Sequence, residues 1–225
     1  MKILAFAYLL VATAAVATAQ CKSDLGALRL NGRVKTLNES AYDVLRYGAK
    51  YKKGGLISKT TINFDEKGFE TESVAVNESG SVLDKTVFKH ASAGNIIAGV
   101  STRRHNNFVW KNKLVCDGNG NVTELTGYDN KGAITHKTTF RYDYHGHLIQ
   151  RDELDKNGRL ITEFVYKNDG LGNKIIEEMY RIDNGSMDRL NYIYTGYDKA
   201  HNWLRKTTFV NGKPIKTIER HITYY

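Results

Sequence analysis

The chain has 225 residues, of which 25% are charged and 11% aromatic, with a formal net charge of +9, two cysteines and one proline. Two cysteines cannot make a disulfide scaffold in a chain of this length, so packing must supply most of the stability. The basic charge would suit nucleic acid, but Lys and Arg alternate with Glu and Asp throughout, which predicts a solvated sheet face and no nucleic-acid partner.

Residues 1–19 follow the plan of a secretory signal peptide, with Lys2, an apolar run from Ile3 to Val16 and small residues at 17–19. The apolar run is short for a membrane span, and no later stretch approaches ~18 apolar residues. The sequence therefore predicts an exported protein in the periplasm or at the surface of a Gram-negative bacterium.

Cys21 has two alternative roles. Cleavage before Gln20 would leave it free to form a disulfide with Cys116, as two cysteines in an exported chain can. Alternatively, Cys21 is the acylated cysteine of an outer-membrane lipoprotein, although Gln20 stands where such signals place a small residue. Membrane association is expected only through this anchor.

The stretch 20–57 does not follow the pattern of the rest of the chain. Residues 32–44 can form one long initial strand, and residues 47–55, with three lysines and three glycines, are typical of a loop. We therefore divide the mature chain into this initial strand and loop, 20–57, and a repeat domain, 58–225.

From there on, glycines recur at a step of 26 residues. One series is Gly68, Gly94, Gly120, Gly146 and Gly172, and a second, between them, contains Gly80, Gly132 and Gly158. A fixed period of this kind indicates an array of small repeated units.

The turns of these units share an aromatic-Asp-x-x-Gly pattern, as at 64–68, 128–132 and 142–146. Asp can accept a hydrogen bond from the backbone two residues on, and the closing Gly tolerates a positive φ. Alternating strands follow, for example Ile134, His136 and Thr138 on one face. Each 26-residue period therefore predicts two strands and two tight turns.

Short connections permit only antiparallel neighbours, so the sequence predicts an all-β, up-and-down antiparallel meander of eleven or twelve strands. A twisted sheet of that width usually curls. A half-pipe or partly closed barrel that buries the aromatic-rich face is expected, with a flat single-layer sheet as the alternative.

The tandem units at 120–122, 146–148 and 158–160 resemble YD repeats of the RHS class, from about residue 60 to the C-terminus. The segment 197–205, YDKAHNWLR, is similar to a unit of short secreted proteins of Bacteroidetes, with His201 in place of its glycine. The resemblance implies β-hairpin arrays that serve as shells or cell-surface adhesion modules, and an exported location.

No motif predicts catalysis, a metal site or a cofactor. His145 and His147 are two imidazoles in a turn, whereas zinc needs three or four ligands. The loop that begins at Asp117 lacks the sixth-position Gly and twelfth-position Glu of an EF-hand. Exposed aromatic residues could instead bind sugars or peptides by stacking, which leaves Trp110, Tyr197 and Trp203 as binding candidates.

The leading hypothesis is a non-catalytic exported repeat protein that acts as a binding or structural module at the cell envelope, with a protein, glycan or apolar ligand as its partner. The second hypothesis is a carrier that holds a lipid or other apolar ligand in the trough of a curled sheet. A glycan-active enzyme is the third.

Overall fold

The computed structural model describes residues 21–48, 50–91, 96–103 and 106–225. The predicted signal peptide, Gln20 and Gly94 lie outside these residues. The described part of the chain holds one short helix, α1 (Asp24–Leu28), and fourteen strands. The strands are β1 (Val34–Tyr47), β2 (Lys50–Phe64), β3 (Glu70–Asn77), β4 (Val82–His90), β5 (Ile96–Arg103), β6 (Asn106–Cys116), β7 (Val122–Tyr128), β8 (Ile134–Tyr142), β9 (Leu148–Asp155), β10 (Leu160–Asn168), β11 (Lys174–Arg181), β12 (Met187–Tyr197), β13 (Trp203–Val210) and β14 (Lys213–Tyr224).

The strands form a closed antiparallel barrel in which every strand pairs with its neighbours in sequence and β1 also pairs with β14. The all-β meander is thus confirmed, with more strands than expected and with complete closure. Closure removes the two edges that an open sheet would leave with unpaired backbone groups, which explains why the broad twisted sheet ends as a barrel.

The loop predicted at 47–55 was wrong, and the boundary at 57/58 with it. Residues 50–64 form one strand, β2, which pairs along β1 after a turn that contains Gly48 at φ +58°.

Gly54 permits a close approach of β2 to β1. A Cβ at this position would collide with the Asp43 carboxylate and the Leu45 side chain. The composition that looked like a loop is that of a strand at the rim of the barrel.

The predicted turn chemistry is confirmed. The Oδ1 atom of Asp155 accepts hydrogen bonds from the backbone N–H of Asn157 at 2.8 Å and of Arg159 at 2.9 Å, and Gly158 has φ +82°. The same pair of bonds recurs at six other turn acids. They are Asp65, Asp117, Asp129, Asp143, Asp169 and Asp198. His201, in the glycine position of the last turn, takes φ +64°.

The alternation along each strand divides the side chains between the interior of the barrel, the lumen, and its outer face. In β10, Thr162, Phe164 and Tyr166 are buried in the lumen, whereas Ile161 and Lys167 on the other face are exposed. The expectation that aromatic side chains fill the inner face is therefore met by this strand.

Residues 21–33, here called the N-terminal plug, lie across one end of the barrel. The Lys22 N–H donates to the Gly120 carbonyl at 2.9 Å, and the Leu25 N–H donates to the Gly68 carbonyl at 3.1 Å. Leu25 also belongs to a buried apolar cluster at this end. Its members are Leu25, Leu30, Val34, Leu37 and Phe64, with Ile62 and Ile222 packed against them.

The helix within the plug has five residues, and no helix in the described part of the chain has the length and hydrophobicity of a membrane span.

Candidate functional site

The lumen beside β10–β14 holds a group of basic side chains seated on aromatic rings. The strands place them together because their inward-facing positions come into register from one strand to the next, as Tyr194 with Lys206 and Lys206 with Ile218. We call this group the lumen cluster. Its members are Tyr166, Lys174, Tyr192, Tyr194, Trp203, Lys206 and Arg220.

One cation of the cluster already has its counter-charge. The Arg220 guanidinium donates from Nε to Glu39 Oε1 at 2.8 Å and lies 3.3 Å from the centroid of the Trp203 ring. The arginine side chain is 9% exposed, and its burial, opposed by Glu39, lowers its pKa. Glu39 and Arg220 are register partners in β1 and β14, so this ion pair joins the first and last strands of the barrel.

Two lysines of the cluster are held differently. Lys206 Nζ lies 5.2 Å from the Trp203 centroid and 5.3 Å from the Tyr192 centroid, and Lys174 Nζ lies 4.0 Å from the Tyr166 centroid. Among the residues that the structure describes, neither ammonium has a hydrogen-bond or ion-pair partner. Both ammonium groups lie over ring faces, and Glu39 and Glu177 favour the charged forms of Lys206 and Lys174 electrostatically without bonding to them.

Burial changes the acid-base properties of this region. It lowers the pKa of Lys206 to about 8, with Glu39 opposing the shift, and it lowers the pKa of Lys174. Burial also raises the pKa of Tyr192, an effect that the neighbouring Glu177 strengthens. Burial therefore disfavours an isolated charge of either sign here, and an anion bonded to a lysine would favour that lysine's charged form.

A cavity of about 300 Å³ lies on the side of the lumen cluster away from the plug. Three apolar residues, Met179, Leu190 and Val210, line it together with the charged residues Glu177, Asp188 and Arg189. Leu190 is two residues from Tyr192 on the same face of β12, so the cavity directly adjoins the cluster. The lumen therefore combines a group of cations and aromatic rings with a cavity whose lining is half apolar and half charged.

The three aromatic candidates have different positions. Trp203, in the lumen cluster, is 8% exposed, and Tyr197, its pairing partner in β12, is 40% exposed. Trp110 lies in β6, seven strands from β13, where it packs edge-on against Phe88 and donates from Nε1 to Ser101 Oγ at 2.9 Å. The structure thus brings Tyr197 and Trp203 together and leaves Trp110 across the barrel.

A second group of ionisable residues lies where Asp24 of the plug meets Glu70 of β3 and His90 of β4. Asp24 Oδ2 accepts a hydrogen bond from the Glu70 N–H at 2.6 Å and lies 3.4 Å from His90 Nε2. Burial and the Asp24 charge raise the pKa of Glu70 to about 7, and burial raises the pKa of Asp24. Within the described residues, no three His, Cys, Asp or Glu side chains are arranged to hold a metal ion.

Cys21 and Cys116 form a disulfide, with their Cα atoms 5.5 Å apart. The bond joins the start of the plug to the end of β6. A sulfur in a disulfide cannot carry a lipid, so the bridged form and a form acylated at Cys21 exclude each other.

No protein-family model and no curated protein matches this chain. Among solved structures, the chain is similar to a porin-like protein from Bacteroides uniformis, at 12% identity over 86% of this chain and 99% of that one, with a TM-score of 0.48. A porin-like protein from Bacteroides vulgatus is similar at 12% identity over 87% and 99%, with a TM-score of 0.41. A DUF1329 family protein from Desulfovibrio piger is similar at 10% identity over 85% and 86%, with a TM-score of 0.31.

Sequence reasoning found Trp203 but not the lysines beside it. Lys174 and Lys206 occupy inward positions of strands whose alternation was readable, yet lysine is normally assigned to the solvated face. The alternation along β13 could have indicated the inward position of Lys206, because Lys206 and Thr208 alternate with the outward-facing residues Arg205 and Thr207.

Proposed function

We propose that this is an exported, non-catalytic binding module of the cell envelope that holds a small ligand in the lumen of its barrel. The observation that supports the proposal most directly is the pair of lysines, Lys174 and Lys206, whose ammonium groups face the lumen without a hydrogen-bonded or ion-paired carboxylate in the described part of the chain. A cavity of about 300 Å³ adjoins them, at the lower end of the range for small-molecule sites.

The outer face supports a barrel surrounded by water within the envelope. Ion pairs join neighbouring strands there, such as Lys137 Nζ with Glu124 Oε1 at 3.7 Å and Arg189 Nη1 with Glu178 Oε1 at 3.2 Å. Charged groups within strands suit contact with water, whereas lipid-facing strands need an apolar band.

We also propose that the hairpins are YD-type repeats of the RHS class. The support is local: the turn acids bind the backbone in the same way at each repeat, and the 26-residue spacing extends to side chains. Tyr142, Asn168 and Tyr194 are 26 residues apart, and each donates to the carbonyl 20 positions earlier in the chain.

Native mass spectrometry of the protein purified from the envelope without denaturation tests the binding function. We expect a retained small molecule that is lost in Leu190→Trp, which fills the cavity, and kept in the matched control Ile193→Trp. Ile193 lies on the outer face of the same strand and is 54% exposed. A bare polypeptide mass for the parent protein, together with no binding from an envelope lipid and glycan extract, would contradict the proposal.

A further inference from the structure

We infer that the lumen takes an anionic amphiphile, with its acidic group between Lys206 and Lys174 and its apolar chain along Met179, Leu190 and Val210. This inference rests on the proposed binding function and adds the chemical class of the ligand. The shared chemistry is a single acidic head group, carboxylate or phosphate, on a flexible hydrocarbon chain.

The acidic group follows from the charge balance of the lumen cluster. Arg220 is neutralised by Glu39, so its charge is already compensated. Lys206 and Lys174 lie over ring faces, and among the described residues no carboxylate forms a hydrogen bond or ion pair with either, although Glu39 and Glu177 act on them electrostatically. An ammonium in a partly desolvated site gains most from a directly bonded anionic partner. The rings of Trp203 and Tyr192 exclude water beside Lys206, which strengthens an ion pair formed there.

The apolar chain follows from the other part of the lumen. Val210 and Leu190 stand two positions further from the plug than Thr208 and Tyr192, on strands whose inward faces are in register. A ligand whose head lies at Lys206 therefore extends into the cavity rather than toward the plug, where the apolar cluster around Leu37 is already packed. Hydrocarbon in the cavity would bury apolar surface, which is favourable in proportion to its area.

Isothermal titration calorimetry with dodecanoate and dodecyl phosphate tests the inference, with dodecan-1-ol and acetate as probes that keep only the chain or only the charge. We expect both anionic amphiphiles to bind, and each partial probe to bind about 10- to 100-fold more weakly or not measurably. The ratio between the two amphiphiles identifies the preferred acidic group.

Variants locate the head group. Lys206→Met keeps the length of the side chain and removes the charge, and we expect it to weaken dodecanoate binding about 10- to 100-fold. Lys206→Arg should restore most of the affinity. The matched control is Lys167→Met, because Lys167 is exposed on the outer face beside Tyr166, and it should bind as the parent does. Circular dichroism confirms that each variant keeps its strands.

The failure of the inference is distinguishable from that of the binding function. Equal affinity for dodecan-1-ol and dodecanoate, or an affinity that Lys206→Met leaves unchanged, would overturn the anionic class. If a neutral molecule is then retained by the parent and lost in Leu190→Trp, the binding function stands with another ligand.

Discussion

Cys21 is covalently bonded to Cys116 although 95 residues separate them, and the bond ties the N-terminal plug to the end of β6. Cys116 stands one 26-residue period before Tyr142, whose hydroxyl donates to the Val122 carbonyl at 2.9 Å. The disulfide therefore occupies a repeat position that other units use to fasten one hairpin to the next. Here the same position fastens the plug.

Removal of this disulfide should destabilise the protein. A closed loop of this length lowers the entropy of the unfolded chain enough to contribute about 4 to 5 kcal/mol. We expect the double variant Cys21→Ser, Cys116→Ser to unfold at lower urea concentration, by a difference of that order or somewhat less. Intact mass gives the control, because the parent should lack two hydrogens relative to its reduced form. A parent mass that carries a diacylglycerol group on Cys21 would instead show the acylated form.

The contact between the plug and the turn at Gly68 can be separated from the strain of that turn. Gly68 and Gly158 have φ +85° and +82°, so alanine at either position should cost about 1–2 kcal/mol. A Cβ at Gly68 would also lie 2.9 Å from Leu25 Cδ1, whereas nothing lies within 4 Å at Gly158. We expect Gly68→Ala to lose about 1–3 kcal/mol more than Gly158→Ala in urea unfolding. Equal losses would mean that the plug adjusts freely.

Stability should fall as the pH rises through the titration of Glu70. Its pKa is raised from 4.5 to about 7, so the folded state binds a proton more tightly than the unfolded state. The stabilisation is complete below pH 4.5 and is lost as pH rises through 7. Asp24, whose pKa is also raised, adds an effect of the same sign, and Asp65 and His90 are the other ionisable groups beside it. Urea midpoints at pH 5 and pH 8 measure the fall, and Glu70→Gln should reduce it. If the urea midpoint of Glu70→Gln fell by the same amount between pH 5 and pH 8 as that of the parent, a group other than Glu70 would be responsible.

The buried Arg220–Glu39 pair should be costly to break on one side. Arg220→Met leaves a partly buried carboxylate without its partner, and we expect a loss of about 3–5 kcal/mol. Adding Glu39→Gln should recover part of the loss. The outer-face pair of Arg205 and Glu219 provides the control, because Arg205→Met removes an exposed ion pair and should cost no more than about 1 kcal/mol. Similar losses for both arginines would contradict the assignment of Arg220 to a desolvated site.

Ligand affinity should follow the protonation of Lys206. Because its pKa is lowered to about 8, the ammonium that pairs with an anionic head group is lost as the pH passes through that value. We expect dodecanoate to bind progressively more weakly from pH 7 to pH 9.5 in calorimetric titrations, and Lys206→Arg to flatten this dependence. The other charged groups that act on Lys206 are Glu39, Lys174, Lys216 and Arg220. If the pH dependence of dodecanoate affinity were the same in Lys206→Arg as in the parent, one of these other groups would be responsible for it.

The turns were the most predictable part of the fold, because their chemistry is local. Asp155 and Gly158 form their turn within a few residues, and the same holds for each repeat. The assignment failed at residues 47–55, where lysines and glycines suit a loop in isolation but serve as a strand beside β1. The lumen cluster was predicted only in part. Trp203 was identified from the sequence, whereas Lys206 was not, because its inward position is supported by the Tyr192 ring of another strand as well as by Trp203.

The amino-acid sequence by itself determined the unit of this protein, the hairpin, because positive φ, the Asp side-chain bonds and the alternation of side chains act over a few residues. It also restricted the cysteines to two alternatives. Only the tertiary structure decided that β1 meets β14, that residues 21–33 cover one end of the barrel and that two lysines share the lumen with Trp203 and Tyr166. These outcomes depend on contacts between segments up to about two hundred residues apart. The free energy of those contacts comes from closing the sheet and filling its interior, and no local sequence pattern encodes that free energy.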